Sequence, residues 1–246
     1  MKRTEPEVKI FNHKSHAFFF MVTIIIIAAI GFFASDIYLP SLPSIAQYFH
    51  ESSLKVQLTM SVFLLTMAIF QVFNGILSDK YGRKKILFIL ILIFIFASLG
   101  CYQSHSLNEL ILFRFFQGMG AACGLSIGQA IIADLYGPTQ SAKPLSIVIP
   151  LVAFSPAIAP ILGGLIEEYS NWRNIFLFLV GYGVLVLIFL ITPIIPKITR
   201  VTPIRTGNQG NILQIIKNKQ YIGYALFMLT SNACYFAFLA ASPFLL

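Results

Sequence analysis

The sequence has very little charge. Only 11% of its 246 residues are Asp, Glu, Lys or Arg and 57% are hydrophobic, whereas an ordinary globular domain carries about 25% charged residues. This composition excludes a soluble domain. The net charge of +8 does not indicate nucleic-acid binding either, because the basic residues lie between apolar runs rather than along one face.

Cysteine and histidine are also scarce, at three and four residues. The cysteines have neither disulfide nor metal-ligand spacing, and the histidines are scattered, so the sequence predicts free buried thiols and no metal site. No cofactor is predicted. A dinucleotide-binding loop is missing too, because Gly118-x-Gly120 is followed by a third glycine one residue late, at Gly124, and no strand precedes it.

What the sequence has instead is a series of long apolar runs. Each is close to the ~20 residues that cross the core of a bilayer. Seven spans are predicted, at 18–33, 56–78, 86–103, 108–136, 145–166, 175–195 and 221–246. The predicted fold class is therefore all-α, a polytopic transmembrane helix bundle.

These spans suggest four segments. A polar lead, 1–17, precedes a six-helix bundle, 18–196, and a polar linker, 197–220, separates that bundle from a seventh span, 221–246. The first apolar run also fits a secretory signal, but it is too long and is followed by further spans, which favours a retained helix.

The basic residues give the orientation. Lys55 and Arg173 lie in connections on one side and Arg114 lies within the fourth span, while the other fourteen of the 17 basic residues fall in the lead or after the second, fourth and sixth spans. Connections rich in Lys and Arg stay in the cytoplasm. The sequence therefore predicts a cytoplasmic amino terminus.

Two ionisable residues lie in or next to apolar helices. Arg114 is about two turns into the fourth span, where an arginine costs about 2.5–3.5 kcal/mol on insertion scales. Asp36 ends the first span, in the same half of the membrane, and is its predicted partner. The alternative is that Arg114 only extends outward to the interface and Asp36 only caps a helix end.

Glycine and proline are concentrated in the fourth and fifth spans. Gly120, Gly124 and Gly128 are four residues apart, a spacing that lets helices approach closely in lipid. The fifth span contains three prolines, which weaken helix hydrogen bonding: Pro150, Pro156 and Pro160. They predict a hinge or a close-packed seam, with a kink of no functional consequence as the alternative.

Three stretches carry a family resemblance. Gly-Ile-Leu-Ser-Asp-Lys-Tyr-Gly-Arg-Lys-Lys-Ile-Leu, at 75–87, resembles the loop between helices two and three of the major facilitator superfamily. Arg-Phe-Phe-Gln-Gly-Met-Gly-Ala-Ala, at 114–122, is similar to its fourth-helix motif. Ser-Pro-Ala-Ile-Ala-Pro-Ile-Leu-Gly-Gly, at 155–164, resembles the antiporter motif of proton-coupled drug exporters, with Ala159 where glycine is usual.

A narrower resemblance is to multidrug exporters of the bicyclomycin/chloramphenicol resistance (Bcr/CflA) type. It rests on Asp-Ile-Tyr-Leu-Pro-Ser-Leu-Pro at 36–43, on Ala-Pro-x-x-Gly-Gly at 159–164 and on Trp-Arg-Asn-Ile-Phe at 172–176. The resemblance implies a drug:proton antiporter of the bacterial inner membrane. It would export amphipathic or aromatic drug-like compounds and take its energy from the proton gradient.

The resemblance also implies residue roles and a full-length fold. The expected proton- and substrate-binding residues are Asp36, Tyr38, Arg114 and Gln117. The expected gating and conformational residues are Gly75, Asp79, Gly82, Arg83, Asp134, Pro156, Pro160, Gly163 and Gly164, with Arg83 paired to Asp134. The implied fold is two six-helix halves built from three-helix inverted repeats, of which this chain supplies the amino-terminal half plus one helix.

The second six-helix half that the resemblance implies leaves more than one interpretation of this chain open. The sequence is interpreted either as a truncated product or as one chain of a pair whose second chain supplies the missing half, and a non-transporting remnant is the main rival function. A seven-helix retinal sensor needs a lysine in the last span, and 221–246 has none. A membrane enzyme needs convergent acids or a nucleophile with its base, which the spans lack. The expected partners are substrates, protons and lipid.

Overall fold

The computed structural model describes residues 14–192 and 218–241, and these ranges contain helices and no strand. The all-α prediction is confirmed. The chain divides into two compact units, Met1–Ile198 and Thr199–Leu246, and each is described by itself. Most of the predicted lead, most of the linker and the last five residues of the seventh span lie outside the described residues.

The first unit contains six stretches that are long and apolar enough to cross a membrane: Ala17–Phe49, Ser53–Tyr81, Arg83–Gln103, Leu107–Gly137, Ala142–Tyr169 and Trp172–Ile191. They are built from nine helices within 14–192: α1 (Lys14–Asp36), α2 (Leu42–Phe49), α3 (Ser53–Tyr81), α4 (Arg83–Gln103), α5 (Leu107–Ala121), α6 (Cys123–Gln140), α7 (Ala142–Ala153), α8 (Ser155–Tyr169) and α9 (Trp172–Ile191). The first six predicted spans are confirmed, and the protein is a multi-pass membrane protein.

The second unit contains the helix α10, Lys219–Ala241. It occupies most of the seventh predicted span. It is not among the six stretches that meet the length and hydropathy criteria. That α10 crosses a membrane therefore stays a prediction.

The first span is longer than the sequence predicts. α1 ends at Asp36, but a 3-10 turn, Leu39–Ser41, and then α2 carry the apolar stretch on to Phe49. Pro40 and Pro43 lie in the first turns of these two elements, where a backbone N–H has no intrahelical acceptor to lose. The prolines interrupt this span and restart it.

The fifth span is broken as its prolines predict. α7 ends at Ala153 and α8 begins at Ser155, with Phe154 between them. Pro156 lies in the first turn of α8, while Pro150 and Pro160 lie inside α7 and α8. The two halves of this span can therefore present different faces to α1.

α1 is the central helix of the first unit, because it packs against α6, α7, α8 and α9, while α5 packs against both α3 and α4. Glycines permit the close approach. A Cβ at Gly120 would lie 2.6 Å from the backbone nitrogen of Phe94 in α4, and a Cβ at Gly124 would overlap the carbonyl oxygen of Ile27 in α1. The predicted packing role is confirmed for Gly120 and Gly124, whereas a Cβ at Gly128 would make only ordinary contacts of 3.7 Å or more.

The two ends of the bundle are fixed by different contacts. At one end, called here the Arg83 end, the turn between α3 and α4 meets α6 through an ion pair between Arg83 and Asp134. At the other, called the Trp172 end, Arg173 at the start of α9 donates hydrogen bonds to the carbonyl oxygens of Tyr102 and Ser104, where α4 ends.

Candidate functional site

Arg114 is the most unusual residue of the bundle interior, because its side chain is fully buried. Its guanidinium carbon lies 4.2 Å from the ring centroid of Tyr38 and 4.2 Å from that of Phe63. Two aromatic faces stabilise a cation through their quadrupoles. The alternative in which Arg114 extends outward to the membrane interface is therefore wrong.

The hydrogen bonds of Arg114 all go to neutral groups. Nη1 donates to the carbonyl oxygen of Ala34 at 3.3 Å and to Oε1 of Gln117 at 2.7 Å. Nη2 contacts the sulfur of Met60 at 3.6 Å. Nε is buried and has no acceptor among the described residues. One side chain thus ties α5 to the last turn of α1 and to α3.

Gln117 extends this network to α4. It lies one turn after Arg114 and is fully buried. Its Nε2 donates to Oγ of Ser98 at 2.8 Å, and Ser98 donates to the carbonyl oxygen of Phe94 at 2.7 Å. The amide therefore fixes the guanidinium by accepting from it, while Ser98 fixes the amide.

Asp36 lies beside this network without joining it. Its side chain is fully buried at the end of α1, Oδ1 accepts a hydrogen bond from Ser35 at 2.9 Å, and Oδ2 has no donor among the described residues. The predicted ion pair with Arg114 is absent: Asp36 and Arg114 do not pair. The reason is geometric, because the guanidinium bonds to the carbonyl group two residues before Asp36.

Tyr38 joins the first span to the second and the sixth. It is fully buried, its hydroxyl lies 2.8 Å from Oγ1 of Thr59 in α3, and its ring centroid lies 5.6 Å from that of Phe176 in α9. The structure thus brings Arg114 into direct contact with Tyr38 and Gln117, while Asp36 lies two residues after the Ala34 carbonyl to which Arg114 bonds.

The sequence analysis missed the side chains that position these groups. Ser98 is the one Ser or Thr in the third span, 86–103, and that isolation is a signal that would have found it. Thr59 shares the second span with Ser61, Thr66 and Ser78, so the sequence does not single it out. Met60 and Phe63 are ordinary apolar residues in a membrane helix, so nothing in the sequence separates them from lipid-facing neighbours.

The expected gate residues meet at the Arg83 end. Arg83 pairs with Asp134 at 3.0 Å and also with Asp79. Its Nη1 donates to Oγ of Ser78 at 2.6 Å and lies 3.5 Å from the carbonyl oxygen of Gly75. The expected Arg83–Asp134 contact is therefore present; that this cluster works as a gate stays a prediction.

Gly82 makes the turn that places Arg83. Its φ of +100° lies in the region that side chains rarely adopt, and this conformation joins the end of α3 to the start of α4. Gly75 has a different environment, because a Cβ there would meet no described atom within 4 Å. Of these two glycines, only Gly82 is required by its backbone conformation.

The fifth span reaches the site through Gly163. A Cβ at this position would overlap the carbonyl oxygen of Ile37, the residue after Asp36. At Gly164, in contrast, a Cβ would meet no described atom within 4 Å. Gly163 therefore sets the approach of α8 to the end of α1, while Pro160 and Pro156 lie about one and two turns before it on the same helix.

Comparison with known sequences identifies related proteins. Residues 24–246 match the family model of the Major Facilitator Superfamily. The bicyclomycin resistance protein homolog of Haemophilus influenzae is 31% identical over 94% of this chain and 58% of its own length. The multidrug resistance protein MdtL of Klebsiella pneumoniae is 32% identical over 86% of this chain and 54% of its own length. The chain thus spans about half the length of the curated relatives it matches.

A solved structure shows the same fold. The proton:xylose symporter XylE, determined with 6-bromo-6-deoxy-D-glucose bound, superposes with a TM-score of 0.63 over 72% of this chain and 44% of that chain. The two sequences are only 16% identical. This likeness concerns the arrangement of helices and not the substrate.

Proposed function

The chain belongs to the Major Facilitator Superfamily, and from this premise we propose that it contributes six membrane spans and a proton-binding site to an exporter of amphipathic or aromatic drug-like compounds. The energy source is the proton gradient, with no cofactor and no enzymatic step. The proposed location is the bacterial inner membrane, with the amino terminus in the cytoplasm. The names of the Haemophilus and Klebsiella relatives support export of drugs as the function.

One observation carries the proposal: the fully buried guanidinium of Arg114 bonds to the Ala34 carbonyl, two residues before the fully buried carboxyl of Asp36, and within residues 14–192 and 218–241 neither group has an ion-pair partner. Neither Asp36 nor Arg114 has its ionisation locked by an ion pair. An unpaired carboxyl in a membrane helix is energetically costly, and an ionisable residue retained there marks a functional site. Asp36 Oδ2, which has no donor among the described residues, is the atom proposed to bind and release the proton.

Arg114 is the proposed regulator of this proton. Its Nη1 bonds to the Ala34 carbonyl, within two residues of Asp36. A small shift of α1 against α5 exchanges that neutral acceptor for the carboxylate and favours proton release. The return of Arg114 to Ala34 and Gln117 restores the arrangement in which Asp36 binds a proton. Substrate that enters beside Tyr38 competes for the same space.

The Arg83 cluster is the proposed inner gate. Its ion pairs connect the α3–α4 turn to α6, the helix that continues from α5 and packs against α1. A movement of α6 therefore changes both the gate and the surroundings of Asp36. The second half of the transporter, from further spans or from another chain, provides the opposite wall of the cavity.

The proposal is tested in a chimera in which residues 1–246 replace the matching region of the Haemophilus relative. We expect cells with the chimera to export ethidium, an aromatic cation. This export should stop when an ionophore collapses the pH gradient. Asp36→Asn abolishes this export while the amount of protein in the membrane is unchanged. Glu168→Gln, at an exposed carboxylate of α8, is the matched control and keeps it. Export that continues unchanged in Asp36→Asn contradicts the proposal.

A non-transporting chain is the second candidate. The observation in its favour is that the chain covers only 58% and 54% of the two relatives. Measurement of the unmodified chain beside the chimera separates the candidates, because only the chimera has the full set of spans.

A further inference from the structure

A cleft lies at the Trp172 end of the bundle, away from Asp36 and Arg114. Its volume is about 400 Å³, and α2, the end of α8 and the start of α9 form its walls through Ser44, Tyr48, Glu167, Asn171 and Trp172. Pockets that hold small ligands measure about 300–1,000 Å³. The cleft is large enough for a compact organic molecule.

The cleft is electronegative. Of the residues that line it, Glu167 alone carries a formal charge at neutral pH. Its Oε1 accepts a hydrogen bond from Ser44, and within residues 14–192 and 218–241 it takes part in no ion pair. The carboxylate is therefore held in place by α2 while its charge stays uncompensated by any of the described cations. A cationic ligand fits this charge.

Two aromatic rings complete the walls. The centroids of Tyr48 and Trp172 are 5.7 Å apart with the rings edge to face. Trp172 is only 4% exposed, and its indole N–H is buried without an acceptor in the described part of the chain. Aromatic faces beside a carboxylate are the surroundings in which proteins bind quaternary ammonium groups.

Arg173 does not fill this cleft. Its guanidinium carbon lies 4.5 Å from the Tyr48 centroid and 4.4 Å from that of Trp172, but Arg173 is not one of the lining residues. Its Nε and Nη2 donate to carbonyl oxygens at the end of α4, where the helix dipole offers partial negative charge. Arg173 therefore orders the two rings. Trp172 is covered further by Phe49 and Phe176, whereas Tyr48 is half-exposed and offers its ring to the cleft.

We propose that this cleft binds a compact organic cation that carries a quaternary ammonium group. Glu167 supplies the opposite charge, and the half-exposed ring of Tyr48 supplies the aromatic surface, with Trp172 packed behind it. The site involves neither Asp36 nor a proton gradient. It therefore goes beyond the proposed export function, and each stands or falls by its own experiment.

The sequence provides its own probe, because Trp172 is the single tryptophan of the chain. We expect choline, titrated into the full chain in lipid nanodiscs, to change the emission of Trp172 in a saturable way. The neutral isostere 3,3-dimethyl-1-butanol produces no saturable change. Glu167→Gln keeps an acceptor for Ser44 but removes the charge, and it weakens choline binding by about fivefold or more.

Glu168→Gln is the matched control, since its carboxylate is the exposed neighbour outside the cleft, and it leaves binding unchanged. Tyr48→Leu, at a half-exposed ring, is a second variant that weakens binding and does not depend on the behaviour of Glu167→Gln. The size-exclusion profile of each variant reports whether it is folded. Absence of a saturable change, an equal response to the neutral alcohol, or equal losses in Glu167→Gln and Glu168→Gln would each overturn the proposal.

Discussion

Arg114 combines a permanent charge with a fully buried position, and each of its hydrogen-bond partners is neutral. Burial of an unpaired charge is costly, so other contacts in the site must offset that cost. It does so with two aromatic faces, a backbone carbonyl and a side-chain amide. The planar guanidinium suits this set, because it stacks on rings through its faces and donates through its edges.

We therefore expect Arg114→Lys to destabilise the protein although the charge is kept. An ammonium group on a flexible stem cannot donate to Ala34 and Gln117 while it also lies between Tyr38 and Phe63. Loss of hydrogen bonds to a charged group costs about 1.5–3 kcal/mol. The measurement is the Tm of the purified chain in detergent, with Lys143→Arg at an exposed position as control. A Tm equal to that of the unchanged chain contradicts this account.

The sequence alone predicts that Asp36 and Arg114 lie close together. It does not determine which acceptor the guanidinium of Arg114 bonds. Span lengths and the positive-inside pattern put both residues in one half of the membrane, which is why a partnership is predicted. Whether the guanidinium meets the carboxylate or the carbonyl of Ala34 depends on the rotation of α1 by a fraction of a turn. Apolar patterns do not contain that information, and the predicted ion pair was wrong.

At the scale of helices, the contact between α8 and α1 is the seam that encloses Asp36. α8 begins after the break at Phe154, and its Gly163 packs on the carbonyl group of Ile37. Glycine removes the side chain at the point where two backbones approach most closely, as is common in membrane helix pairs. A Cβ at the neighbouring Gly164 would meet no described atom within 4 Å.

This difference gives a matched pair of variants. We expect Gly163→Ala to lower the Tm, because the added methyl group forces α8 away from α1 at a cost of about 1–3 kcal/mol. Gly164→Ala leaves the Tm unchanged or raises it slightly, because its methyl group meets no atom and alanine favours the helix. Thermal unfolding of both variants in the same detergent is the test. Equal behaviour of the two would show that the seam does not depend on Gly163.

The first six membrane spans could be predicted from the sequence, whereas their interruptions could be predicted only in part. About 20 apolar residues suffice to identify a span, and the prolines of the fifth span correctly indicated a break. Pro40 and Pro43 were read as the end of the first span, yet they lie in first turns that restart it. A proline near a helix boundary is compatible with an end and with a beginning.

For the whole molecule, the two ends of the bundle differ in chemistry. The Arg83 end is rich in cations, with Arg83, Lys84 and Lys85 in sequence at the start of α4. The Trp172 end contains the aromatic rings of Tyr48 and Trp172. The guanidinium of Arg173 lies over these rings and donates hydrogen bonds to backbone carbonyl oxygens. Positive residues are retained on the cytoplasmic side during insertion.

This asymmetry predicts the orientation. We expect reporter enzymes fused after Lys85 and after Lys219 to report the cytoplasm, and a fusion after His105, between α4 and α5, to report the outside. Paired reporters that are active on opposite sides of the membrane serve as mutual controls. An external signal after Lys85 would reverse the orientation and with it the proposed inner gate.

The last prediction concerns the 246-residue chain on its own: it does not transport as a monomer. The bundle itself can persist in lipid, because each helix satisfies its backbone hydrogen bonds internally. Transport in this family requires two halves that rock around a central site, and the relatives are almost twice as long as the region they share with this chain. Purified chain in liposomes should show no ethidium uptake driven by a pH gradient, and cells that express it should gain no drug resistance. Resistance that appears with this chain alone and is lost in Arg114→Ala would instead demonstrate a working homodimer, in which a second copy provides the other wall of the cavity.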